Sequence, residues 1–201
     1  MQALYDYVIQ PLGERYNNEK SIDGKSLILN SEIYNHEFVN REAVVVSIPK
    51  NIKTELKAGD IVIVHHNVFR RWYNVKGLEK NSKSYFKEDK YFVKHDQIFA
   101  YKRPNAWSRF KESKWRALEG YCFIKPIKSI DKFSTEKEKP LIGVVKYTDG
   151  YVGIGDLVGF VPGSEYEFVI DGQRLYRVPS KDITIKYEYQ GDEEEYNPSW
   201  A

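Results

Sequence analysis

Apolar residues in this chain come mostly in short runs rich in Val, Ile, Tyr and Phe, and Gly, Pro, Asn or Asp closes most of them off. That pattern predicts strands. The expected strands in the first half are 5–10, 27–29, 43–48, 61–65, 91–93 and 98–101. Those in the second half are 121–125, 142–147, 157–160, 167–170, 175–178 and 183–189. One segment breaks the pattern: in "RPNAWSRFKESKWRALEG", Trp107, Phe110, Trp115 and Leu118 fall at roughly helical spacing between Pro104 and Gly120. A helical or turn-rich linker over 104–119 is the expectation there.

The two halves repeat the same landmarks in the same order. "YVIQP" matches "CFIKP", "REAVVVSI" matches "PLIGVVKY", "AGDIVIV" matches "IGDLVGF", and "YFVKHDQI" matches "YRVPSKDI". The separation between copies shrinks along the chain: 115 residues from Pro11 to Pro126, 96 from Gly59 to Gly155 and 85 from Tyr91 to Tyr176. The first copy therefore carries extra residues between its strands, where surface loops tolerate insertion. The expected organisation is a first domain over 1–103, the linker, a degenerate second copy over 120–189 and an acidic tail over 190–201. Within the first domain lie a long loop at 13–42 and a long hairpin at 68–92.

The series "YDYVIQP", "DGKSLILN", "REAVVVSIP", "LKAGDIVIV" and "YFVKHDQIFAY" resembles a GroES-type co-chaperonin in order and spacing over most of residues 3–103. The second half repeats it in weaker form. The resemblance implies a mainly β protein of two small, partly open GroES-like β-barrels in tandem. It further implies a homo-oligomeric ring and a role capping a GroEL-type chaperonin, with ATP hydrolysed by the partner. The family's chaperonin-contacting tripeptide falls on Leu27, Ile28 and Leu29, inside a polar mobile loop at 13–42, although Lys25 and Ser26 stand where the family usually has small residues. The second copy has no aliphatic triplet between Pro126 and Pro140, so one docking loop per chain is expected. The divergence suits a virus-encoded protein acting in the host cytoplasm. The rival reading is a viral structural or assembly protein that keeps the barrels and has lost chaperonin binding.

Composition narrows the remaining classes. The 31 Lys and Arg nearly balance the 29 Asp and Glu, so the net charge of +2 creates no field that would make nucleic acid the main partner. Apolar stretches are too short to span a bilayer, and Met1-Gln2-Ala3-Leu4 lacks the basic and apolar regions of a signal peptide. Neither membrane insertion nor secretion is expected. Cys122, the single cysteine, reads as a small buried hydrophobe.

Residues 68–92 interleave Arg70, Arg71 and several lysines with Phe69, Trp72, Tyr73, Tyr85 and Phe86, a mixture that can stack single-stranded bases. The plainer expectation is an amphipathic hairpin whose aromatics pack and whose lysines are solvated, with Glu79, Glu88 and Asp89 partly neutralising the patch. His65 and His66 are adjacent in a predicted strand and should point to opposite faces, so they are not expected to share a metal. Asp60 and Asp156 follow glycine in their turns and should bond local backbone amides. No G-x-S-x-G, P-loop or H-E-x-x-H motif is present, and neither catalysis nor a cofactor is expected. The tail is expected to be solvated or disordered, with Trp200 as a candidate docking residue.

Overall fold

The computed structural model describes residues 2–15, 39–104, 113–129, 137–188 and 193–199 in full, and the backbone alone for 19–22 and 25–28. The chain divides into two compact units, Met1–Lys114 and Trp115–Ala201. In the first, the strands are β1 (Tyr7–Pro11), β2 (Glu19–Ile22), β3 (Lys25–Ile28), β4 (Glu42–Ser47), β5 (Ile61–Val64), β6 (Arg71–Tyr73), β7 (Glu79–Asn81), β8 (Tyr85–Lys87), β9 (Lys90–Val93) and β10 (Ile98–Lys102). The second holds β11 (Arg116–Ala117), β12 (Tyr121–Lys128), β13 (Glu138–Thr148), β14 (Leu157–Phe160), β15 (Tyr166–Ile170), β16 (Gln173–Pro179) and β17 (Ile183–Tyr187). The protein is mainly β, and the strand pairs within each unit are antiparallel among the described residues.

The internal similarity reaches down to individual hydrogen-bonded pairs. The first unit orders its strands β8-β9-β1-β4-β5-β10, and the second orders them β15-β16-β12-β13-β14-β17. Ile9 faces Val45 as Ile124 faces Val145, with a register shift one residue earlier in both. Tyr7 faces Val93 as Cys122 faces Val178. Tyr101 faces Val62 as Lys186 faces Val158. A one-residue slip would turn every side chain to the other face, so such agreement reflects the same buried set in each unit. Cys122, Ile124, Val145, Val158, Phe160, Val178 and Ile183 form one core cluster. Their counterparts Tyr7, Ile9, Val45, Val62, Val64, Val93 and Ile98 are all buried.

Both copies use the same turn before the third strand. Gly59 and Gly155 have φ of +90° and +89°, a region that L side chains rarely adopt. In each, the glycine N–H donates to the second strand, at Val45 or Val145, and the following aspartate carboxylate accepts the N–H three residues before it. Asp60 and Asp156 thus bond local amides as expected.

Four expectations are corrected. Barrels are implied by the resemblance, but neither strand order returns to its first strand, so among the described residues the sheets are open. The linker was expected to be helical or turn-rich to residue 119; instead Arg116–Ala117 is a strand, and buried Trp115 donates its indole N–H to Asp171 at 2.9 Å, so packing of the second unit starts at Trp115. The acidic tail is not simply solvated. Glu194 accepts the Lys128 N–H, Tyr196 N–H reaches Pro126, and the Glu194 and Glu195 carboxylates pair with Lys128 and Lys146, so its charges find lysines on β12 and β13. Trp200 lies outside the described residues. Finally, residues 68–92 form two successive hairpins, β6-β7 and β8-β9, rather than one.

Candidate functional site

The loop over 13–42 leaves the first unit through a narrow neck. Leu12 N–H donates to Glu42, and Asn40 N–H donates to Arg15, both at 2.9 Å. Asn40 is buried and fastens the neck from inside: its amide donates to the carbonyls of Leu12 and Glu14, and its Oδ1 accepts the Glu42 N–H. Arg15, on the outgoing side, donates to the Phe69 carbonyl and to Asn81 Oδ1, which ties the neck to the β6-β7 insertion. Beyond the neck, among the described residues β2 and β3 pair only with each other, Lys20 facing Leu27 and Glu19 facing Ile28. Leu27 and Ile28 therefore stand in a two-stranded hairpin apart from the main sheet, and Leu29 lies outside the described residues.

A second candidate is a cleft of about 430 Å³ in the second unit, between Glu138, Leu141, Phe160, Arg174, Tyr176 and Tyr196. Arg174 is its hub. Its guanidinium pairs with Glu138, donates to Glu167 at 2.6 Å and lies 4.8 Å from the Tyr176 ring centre. Burial works against that charge, but the Glu138 and Glu167 carboxylates more than offset it and hold the guanidinium above its ordinary range. Burial and the hydrogen bond to Glu138 push the Tyr176 phenol well up, which favours its protonated form. This cluster joins β13, β15 and β16 as a mutually satisfied structural knot.

The equivalent tyrosine of the first unit, Tyr91, is fully buried. Phe69, supplied by the insertion, packs edge-on against it at 4.8 Å, and Arg15 covers it at 5.3 Å. Burial pushes the Tyr91 phenol up to about 12.

The histidine expectation was wrong in its geometry. β5 ends at Val64 and a 3-10 turn begins at His66, so strand alternation stops there and the two imidazoles lie side by side, 4.3 Å apart. His65 Nδ1 accepts the Asn67 N–H and caps that turn. Among the described residues no three His, Cys, Asp or Glu side chains gather as metal ligands. Cys122 is buried as expected, and burial raises its thiol pKa, which disfavours the thiolate a nucleophile needs.

Sequence reasoning missed Arg103, which grips buried Asp60 with two bonds of 2.8 and 2.9 Å from outside the turn. In the second copy Lys186 takes that part against Asp156 at 2.8 Å, and with the Gly153 N–H it holds the Asp156 carboxyl below its ordinary range. Arg103→Ala is expected to cost the first unit about 2 kcal/mol, below the full value for a broken buried pair because the arginine is itself 45% exposed. Urea melts should show Arg103→Lys, which keeps charge without the two-pronged grip, recovering only part of the loss.

Neither a protein-family model nor a curated protein sequence matches this chain. Among the described residues no helix is long and apolar enough to cross a membrane.

Proposed function

We propose that this chain is a co-chaperonin that docks on a GroEL-type chaperonin ring through Leu27, Ile28 and Leu29 and helps enclose a folding substrate, itself assembled as a homo-oligomer. The observation that carries the reading is the clasped neck at Asn40, beyond which Leu27 and Ile28 belong to a hairpin separate from the main sheet. A docking segment needs that arrangement: its base is held, while its apolar residues are not committed to the strands that hold the unit together. The strand order and register shared by the two units support a tandem architecture in which only the first copy carries a docking loop.

Limited proteolysis tests the reading. Cleavage within 13–42 should slow markedly when a GroEL-type chaperonin and ATP are added together, and should be unchanged with either alone. Equal cleavage in all conditions would favour the rival, a viral assembly protein without chaperonin binding.

A further inference from the structure

The hairpins between Phe69 and Lys94 carry chemistry that chaperonin docking does not use. Sequence alone predicts that their aromatics pack, and Phe69 and Tyr91 do so. Trp72, Tyr73, Tyr85, Phe86 and Phe92 all remain exposed, Trp72 to 46% and Phe86 to 40%. Residues directly opposite in an antiparallel pair share a face. Trp72 stands opposite Lys80 on the β6-β7 hairpin, so an indole and an ammonium share one side of that ribbon. On the β8-β9 hairpin, Phe86 and Phe92 lie 4.8 Å apart, and the Lys87 ammonium sits 5.5 Å from the centre of the Phe86 ring.

Between residues 70 and 94 there are eight Lys and Arg against three Asp and Glu, a local excess hidden by the near-neutral whole. Two of the acids are already engaged, Glu79 with Arg71 and Glu88 with Lys90. Lys76, Lys80, Lys83 and Lys87 are exposed and form no ion pair among the described residues. Trp72 and the Phe86 and Phe92 pair thus each have a lysine on the same hairpin beside them.

We infer that these two hairpins form a binding surface for single-stranded nucleic acid, bases stacking on Trp72 and on the Phe86 and Phe92 pair while Lys80, Lys83 and Lys87 meet phosphates. Stacking on a π-face is tolerant of sequence, so the surface takes single strands without strong base preference. A purely acidic protein partner would use the lysines and leave the exposed rings without a role. The inference is independent of the chaperonin reading, because it uses no residue of the 13–42 loop.

Fluorescence anisotropy of the full chain with labelled dT20, U20 and a polyglutamate of equal length tests it. Both oligonucleotides should bind and polyglutamate should not, with affinity falling roughly ten- to hundredfold between about 50 and 200 mM salt. Trp72→Ala, and Phe86→Ala with Phe92→Ala, should each weaken binding about five- to hundredfold. Tighter binding of U20 than of dT20 would assign RNA as the preferred strand, and the reverse would assign DNA. Lys80→Glu with Lys87→Glu should flatten the salt dependence. Because these side chains are exposed, melting temperatures should be unchanged, which separates lost binding from lost fold. No oligonucleotide binding at low salt overturns the inference. So does polyglutamate binding equally well with the aromatic variants unaffected, which would assign the patch to an acidic protein.

Discussion

Leu27→Ala, Ile28→Ala and Leu29→Ala combined are expected to abolish capture by a chaperonin ring while leaving the fold and self-assembly intact. Burying each aliphatic side chain contributes ~1.5–3 kcal/mol, and ordering each loop residue costs ~1–2 kcal/mol, so a single loop docks weakly. Several loops on one assembly make later contacts intramolecular, and avidity then multiplies affinity by ~10²–10⁴. Removing the apolar contact from every loop removes that factor as well. The fold should survive because among the described residues β3 pairs only with β2, outside the main sheet. Co-sedimentation with a GroEL-type chaperonin and ATP, beside a thermal melt, reads both effects. Undiminished capture by the triple variant would refute docking through this segment.

Gly143→Ala should destabilise the second unit by about 3 kcal/mol. Gly143 faces Pro126 across β13 and β12, and a Cβ there would lie 2.4 Å from the Lys125 carbonyl oxygen and 2.7 Å from Ile124 Cγ2. The nearest atom is backbone inside a central strand, so relief means moving β12 and its pairing on both sides. The matching position of the first unit is Ala43, facing Pro11, where a methyl group is present and fully buried. Ala43→Gly is therefore the informative control: it should cost only about 1 kcal/mol, through backbone entropy and a small lost contact. Calorimetry of the two variants should show a large shift for Gly143→Ala and a small one for Ala43→Gly. Equal shifts would mean that the close approach at Gly143 is relieved without cost.

All twelve strands expected from alternating or continuous apolar runs are present, most with their ends moved by one or two residues; 157–160 is unchanged and Glu138–Thr148 begins four residues earlier than its expected start. The matched Gly-Asp turns were legible because a glycine at positive φ followed by a carboxylate that caps its own turn is a local arrangement. β2, β6, β7, β8 and β11 escaped notice: Glu19–Ile22 and Glu79–Asn81 are polar and carry no apolar period, and the other three are only two or three residues long. Leu27, Ile28 and Leu29 could be singled out as an apolar triplet in a polar loop, but nothing near them in sequence announces the clasp at Asn40, whose partners Leu12 and Glu14 lie 28 and 26 residues away.

Burial shows the same division. A run such as Ile61–Val64 demands cover on both faces wherever it lies, so strand, turn and the copied order of both units follow from residue pattern alone. Whether a particular aromatic is covered does not. Phe69 and Phe86 sit in similar polar surroundings in sequence, yet Phe69 is sealed against Tyr91 beneath Arg15, and Phe86 stands in solvent beside Lys87. The Arg174 hub likewise joins Glu138, which is 36 residues distant, and the acidic tail finds Lys128 and Lys146 only once β12 and β13 have paired. Periodicity reports what each residue does to its own backbone and which side of it seeks burial; the identity of the covering group depends on segments brought together by folding.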